Sequence, residues 1–360
     1  MPQVWKTSLA IDYAFPTSFP FTVSVEGIFN KTINGVVLRD WSVKDPNGFA
    51  RFNGVDNRPI YDTNSKLTYL ASYKVETKDG VTTYTPQYKN MPNAYVLENT
   101  SKGYGYSGSV TVNMEPVQGL RLMAAYTHTA SKELTSMPGS NASSVLNYMG
   151  TVNGPNNPGL HNSQNVTPDR FVASLTHSDR SGNHYSFIYE TWRGGFNYAY
   201  MTTIYIPTDA QVANKEFRFV SDDDAARFMD YVHADKYLSK HQGEYAEAYS
   251  VYSPWVHRLD FSYKHDFSVK VGKSTNTLQL SLDVKNILNL FNSSWGVIKY
   301  LNPALGSDQP RVLKYEGVDK EGYATFSTPK AVNGNTETFE PYHNLGQCWY
   351  ASVGIKYLFN

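Results

Sequence analysis

The feature that most constrains this chain is a rhythm in its connections. Nine stretches alternate apolar and polar residues with period two, the signature of half-covered β-strands. In QVWKTSLAIDYAF, Trp5, Leu9, Ile11, Tyr13 and Phe15 share a face. In FPFTVSVEGIF, Phe19, Phe21, Val23, Val25 and Phe29 do so, and the pattern runs on toward residue 43. AYVLENTSKGYGYSGSVTVNM (94–114) groups Tyr104, Tyr106, Val110, Val112 and Met114, and LRLMAAYTHTA groups Leu120, Leu122, Ala124 and Tyr126. RFVASLTH, HYSFIYETW, WVHRLDFSYKHDF, TLQLSLDVKNILNLF and the final ASVGIKYLFN complete the nine. Four connections are short: PTS (16–18), EPVQG (115–119), DRSGN (179–183) and SVKVGKSTN (268–276). Four are long, roughly 44–93, 132–168, 198–253 and 294–345, and the two classes alternate strictly. Loops beyond about 12–15 residues are uncommon in compact domains, so four of them on one end of a meander require a cause.

Composition narrows that cause. Charged residues are 18% of the 360-residue chain and aromatics 14%, with 28 Tyr. Mean hydropathy is −0.46. No apolar run reaches the ~18 residues of a transmembrane helix candidate. Net charge is zero, which argues against a nucleic-acid surface. The single cysteine, Cys348, allows no intrachain disulfide. The N-terminal MPQVWKTSLAIDYAF lacks the basic and apolar regions of a signal peptide.

Two architectures fit long alternating strands. In an outer-membrane barrel the strands are about 9–11 residues, one face is apolar and the other polar, turns are short on the periplasmic side, loops are long outside, and aromatics form girdles. In a soluble sandwich strands are typically about 5–6 residues, and loop lengths do not sort by parity. The pattern favours the first: an all-β, antiparallel transmembrane barrel segment of about nine strands, with one short helix in an outer loop. Residue 360 is then periplasmic.

The terminal strand adds an assembly signal. SVGIKYLF resembles the C-terminal β-signal read by the outer-membrane assembly machinery, with Ser352, Gly354, Tyr357 and Phe359 at its polar, glycine and aromatic positions. Asn360 is one residue more than that signal has. Further stretches resemble the C-terminal part of TonB-dependent receptors of the Bacteroidetes Oar-like type: 94–112, 120–133, 204–211, YLSKHQGEYAEAYSVYSPWVHRLDFSYKHDF (237–267) and LQLSLDVKNILNLFNSSWGV (278–297). The resemblance implies a 22-stranded barrel around a plug, energised through TonB, of which residues 1–360 supply about the last nine strands. It implies outer-membrane lipid as surroundings and TonB as a partner only through a plug that has no counterpart here; a surface lipoprotein, gripped by loop aromatics, is a further candidate partner. The expected role is barrel wall and ligand-facing loops of a receptor for a bulky solute; a small self-contained adhesin or structural protein is the alternative.

Chemistry-bearing motifs are weak. In SDDDAARFMDYVHADKYL, Ser221 reads as a helix N-cap with Asp224 closing a capping box, and Ala225, Phe228, Tyr231 and Val232 form an apolar stripe. Asp222, Asp223 and Asp224 lack the spacing of a calcium loop. His177 and His184 stand singly on their strands and His257 and His265 are a distant pair on one, short of the three or four ligands a zinc site needs. Asp260, Asp266 and Asp283 share a strand face with Arg258, Lys264 and Lys285, which reads as a charge network rather than acid–base catalysis. The chain is therefore expected not to be an enzyme and to need no cofactor or metal. Candidate ligand contacts are the loop aromatics Trp41, Tyr61, Tyr84, Trp295 and Tyr300, in loops that also carry Gly, Asn and Pro clusters such as 136–163.

Overall fold

The computed structural model describes residues 1–359 except Thr63, Ser136, Pro138, Gly195, Phe196, Ala199, Lys273, Ser307, Asp308 and 333–336. The chain is mostly β. Nine long strands form one antiparallel sheet: β1 (Gln3–Ala14), β2 (Phe21–Asp40), β3 (Tyr104–Val117), β4 (Leu120–Glu133), β5 (Asp169–Ser178), β6 (Asn183–Arg193), β7 (Val256–Val271), β8 (Ser274–Lys285) and β9 (Tyr350–Phe359). Their spatial order is their chain order, so the sheet is a plain meander. Among the described residues β1 pairs only with β2 and β9 only with β8.

The period-two pattern fixes the register, because a one-residue slip would carry every apolar side chain to the other face. One row of paired residues crosses eight strands and is apolar throughout: Phe21, Met114, Leu122, Leu175, Phe187, Phe261, Val284 and Ala351. The next row on the opposite face runs Arg121, Thr176, Ser186, Ser262, Asp283 and Ser352. Aromatic pairs reinforce the apolar face, with Phe187 and Phe261 4.9 Å apart and Tyr185 and Tyr263 5.0 Å apart. At the turn end of β1 and β2, Phe15 stacks on Phe21 at 4.5 Å and meets Tyr13 edge-on at 4.8 Å.

The stretch 94–114 is not one uninterrupted strand. Residues Tyr95–Thr100 pair with Gly35–Asp40 at the far end of β2, and β3 then pairs with β2 from Lys31 downward. Between them Ser101–Gly103 bulges. Gly103 has φ +127°, and a Cβ there would lie 2.8 Å from Thr32 Oγ1, so glycine is required to keep both halves on β2.

The long connections hold more structure than their length suggests. The first contains a hairpin, Thr68–Lys78 with Val81–Asn90. Its turn residues Asp79 and Gly80 have φ of 51° and 77°, the two positive values of a type I′ turn. The helix expected after Ser221 spans Asp222–Ala234, but it is not alone: Ala142–Tyr148, Asp209–Ala213 and Ile287–Phe291 are also helical.

Burial divides the molecule in two. Among the described residues of the nine strands only Val37, Leu38 and Val256 are buried hydrophobics, all at the loop end. Side chains along the apolar face are exposed or half-buried: Leu9 at 72%, Val110 at 43% and Ile355 at 73% stand open, while Val112, Leu122 and Phe261 in the middle strands are half-buried. The hydrophobic core lies instead within the long connections, where Phe52, Tyr200, Ile206, Phe228, Tyr231, Val232, Leu305 and Val332 are among its members. No helix among the described residues is long and apolar enough to cross a membrane.

Candidate functional site

The long connections converge into one lobe at the loop end of the sheet. Helix Asp222–Ala234 is its spine. Ser221 caps it by accepting from Asp224 N–H at 3.1 Å. The expected capping box does not close, because the Asp224 carboxylate turns elsewhere: it accepts from the Ser221 hydroxyl, from Arg227 and from Thr328 N–H at 2.9 Å. Those bonds, the Ser221 hydroxyl first and then Thr328 N–H, hold the Asp224 carboxyl below its usual range. A full capping box does form at the shorter helix Asp209–Ala213, between Thr208 and Gln211. Phe228, Tyr231 and Val232 of the predicted stripe are fully buried, and Ala225 is half-buried.

Asp235, one residue past this helix, ties the third and fourth connections together. It accepts from Tyr200 Oη at 2.7 Å, from Thr338 Oγ1 at 2.6 Å and from the N–H groups of Tyr237 and Leu238. Thr338 also shares a 2.7 Å bond with Tyr231. Burial pushes the Tyr200 phenol well above its ordinary value and that of Tyr231 to about 12, so both act as neutral hydroxyls. The backbone around Tyr200 is unusual. Tyr200, Met201, Thr202 and Thr203 all have positive φ, from 31° to 66°. Left-handed residues cost about 1–2 kcal/mol each. Packing holds this turn: Tyr200 is buried, Thr202 N–H donates to Gln309 Oε1 at 3.0 Å, and Arg58 donates to Thr203 O.

The first and second connections dock on this framework. Arg58 bonds Asp56 at 2.8 Å and lies over the Tyr245 ring, whose hydroxyl donates to Asp56 at 3.1 Å. Asp56 Oδ2 is buried and accepts no hydrogen bond from the described residues. Arg218 bridges Asp319 and Glu321 while stacking 3.7 Å above Tyr323. Asn156, inside the Gly/Asn/Pro-rich 136–163, uses its amide as a mock peptide: it accepts from Asp40 N–H and donates to Asp40 O, both at 2.7 Å. That covers the end of β2 where β1 has stopped.

The five candidate aromatics are scattered over the lobe rather than gathered. Trp41 is 58% exposed and donates to Glu98. Tyr61 packs edge-on against Phe49 at 5.1 Å and donates to Asn153 O, beside a shallow depression lined by Lys44, Asp45, Phe49, Ile60 and Asp62. Tyr84 stands 64% exposed on the hairpin, paired with Val75. Trp295 is 52% exposed. Tyr300 bonds Glu340 at 3.3 Å and meets Tyr342 edge-on. No hydrogen bond or ring contact among the described residues joins any two of the five.

The four signal positions fall on β9. Ser352 pairs with Asp283 and Gly354 with Ser281 on the polar face. A Cβ at Gly354 would lie 2.6 Å from Ser281 Oγ, which gives the glycine a local packing reason. Tyr357 pairs with Leu278 on the apolar face and donates to Asn276. Phe359 pairs with Asn276 through its backbone; its side chain, and Asn360, lie outside the described residues.

The polar face carries the expected charges with different partners. Lys285 pairs with Asp260 at 2.8 Å rather than with Asp283, since the register that pairs Phe261 with Val284 brings Asp260 opposite Lys285. Asp266 accepts from Gln279 and lies 3.1 Å from His184 Nε2. Arg258 leaves the network to reach Gly296 O and Gln347 in the lobe. His177 stacks on Tyr185, His257 bonds Tyr189 and His265 bonds Asn183, so each meets a strand neighbour. Comparison of the chain with protein-family models, curated proteins and solved structures finds no match.

Proposed function

We propose that this chain is the wall and outer lobe of an outer-membrane β-barrel that takes up a bulky solute, with the sheet in lipid and the lobe facing outward to bind. The observation that carries the reading is the uncovered apolar face. A soluble protein rarely leaves an apolar patch larger than a few hundred Å² without a partner. Here a continuous apolar face of nine strands is exposed or half-buried while the chain's own core sits elsewhere. Lipid is the partner that suits it: strands of 10 to 20 residues are long enough to cross, the opposite face is polar, and aromatic rings stud the apolar one. In this reading β1 and β9 pair with further strands to close the barrel, because open edges are not tolerated in hydrocarbon.

The resemblance to TonB-dependent receptors of the Oar-like type supplies the transport role: a plug would block the lumen and TonB would move it. The chain itself contributes no catalytic step. A small self-contained adhesin uses the same lipid-facing sheet, and differs in needing neither plug nor TonB. Extraction into detergent followed by electrophoresis of heated and unheated samples tests the membrane reading. The expected result is a heat-dependent shift in migration, and fractionation with membranes. A chain that is freely soluble and folded without detergent overturns it. Deletion of TonB then separates the two roles: solute uptake is lost for a receptor, and surface attachment persists for an adhesin.

A further inference from the structure

The apolar face is not uniform from end to end. Reading parity through the nine registers places only five Asp, Glu, Lys or Arg residues on it: Lys31 and Arg39 of β2, Lys132 of β4, Asp169 of β5 and Arg193 of β6. All five lie at the loop end. From there to the short turns the face carries no Asp, Glu, Lys or Arg. Three of the cations have carboxylate partners: Arg39 with Glu98 at 2.9 Å, Arg193 with Asp169 at 2.7 Å, and Lys132 with Glu247 of the lobe. Lys31 has no carboxylate partner among the described residues.

Register brings Lys31 and Lys132 together. Trp5, Lys31, Tyr104, Lys132 and Asn162 form one row across neighbouring strands. The two lysines flank Tyr104, so their Cα atoms stand about 10 Å apart at the usual strand spacing of ~4.8 Å. Trp5 meets Phe29 edge-on at 6.1 Å just below the row, and Tyr106 is paired with Phe29. The result is two ammonium groups above a shelf of exposed aromatic rings, at the edge of an uncovered aliphatic face. Lysine at such an edge keeps its stem on apolar surface and its charge in the headgroup layer.

We infer that the Trp5–Lys31–Tyr104–Lys132 row binds the phosphate of an anionic membrane lipid whose acyl chains lie on the face below. This rests on the lipid-facing reading of the sheet. Ammonium groups bind phosphate through charge-assisted hydrogen bonds, and Lys132 would exchange its exposed Glu247 partner for it. The confinement of cations to one end makes the site specific to the leaflet beside the lobe.

The test uses the chain folded in detergent, with native mass spectrometry counting adducts of a bisphosphorylated diglucosamine glycolipid (lipid A) and of phosphatidylcholine. The expected result is retention of the glycolipid over phosphatidylcholine, weakened about fivefold for each lysine removed, in Lys31→Gln and in Lys31→Gln with Lys132→Gln. Lys270→Gln with Lys356→Gln removes the same charge from the polar face and should leave the adduct unchanged. Equal loss in both double variants overturns the site. Displacement by inorganic pyrophosphate as efficient as by the glycolipid also overturns it, since the acyl chains would then contribute nothing. A wild-type chain with no heat-dependent migration refutes the lipid-facing reading itself, whereas a normal shift with no glycolipid preference refutes the site alone.

Discussion

The sheet and the lobe obey opposite rules. The lobe is built like a soluble domain: apolar residues from distant connections meet in a buried core, and polar groups at its margin such as the half-buried Asp235 find partners. On the proposed reading the sheet is built for a solvent that is not water. Its nine strands bury almost nothing apolar against the rest of the chain, yet their apolar residues line up row by row. Hydrophobic order with little hydrophobic burial is what the difference teaches: the lobe's partner is inside the chain, and on the proposed reading the sheet's is outside it.

Substitutions can break that contrast. The largest effect should come from Phe228→Ala in the lobe, where the side chain is fully buried. Truncating a buried Phe costs about 3–5 kcal/mol. Limited proteolysis should then cut the 198–253 connection readily while the heat-dependent shift of the sheet survives. Next, Leu280→Lys places a charge on the apolar face between His265 and Ile355. Folding into lipid vesicles should become less favourable by about 2–4 kcal/mol, as for lipid-facing lysine near mid-depth. Ser281→Lys, one residue along, should cost far less, and equal costs would erase the two-faced account.

Tyr200→Phe removes the hydroxyl donated to Asp235 and should destabilise the lobe by about 1–3 kcal/mol, read by hydrogen exchange of helix Asp222–Ala234. Ser221→Ala should cost the same helix about 1 kcal/mol. The Asp224 carboxyl gives that end of the lobe a pH dependence. Its native value is lowered, so its contribution is fully present above the ordinary 3.8 and is lost as pH falls through the native value. Exchange at the helix N-terminus should therefore rise under acid, and Asp224→Asn should flatten the rise. The smallest effect belongs to Tyr84→Ala on the exposed hairpin, within about 0.5 kcal/mol in stability. A loss of ligand binding without loss of fold would then mark Tyr84 as a contact.

How much of this was legible in the sequence depends on the range of the interaction. All nine strands, their facing residues and the Ser221 cap follow from local periodicity and are found in the structure. The hairpin at 68–90 was also legible, in TYLASYKV and VTTYTPQY around Asp79–Gly80, but a segment read by length as one loop hides it. The lobe core was not legible. Asp235 is joined to Tyr200 across 35 residues of sequence and to Thr338 across 103, and nothing in their local spacing announces it. The left-handed turn at Tyr200–Thr203 runs against the preference of its own residues and exists only through packing. The confinement of cations to one end of the apolar face needed the register, since parity within one strand does not give height relative to the next.

The most direct test of the central claim is a nitroxide scan along β8, residues Leu278 to Lys285, in a Cys348→Ser background with the chain folded into lipid vesicles. The account predicts period-two alternation: Leu278, Leu280, Leu282 and Val284 exposed to lipid-dissolved oxygen, and Gln279, Ser281, Asp283 and Lys285 exposed to a water-soluble relaxation agent. Uniform aqueous accessibility at both sets of positions, in protein that is folded, would contradict it.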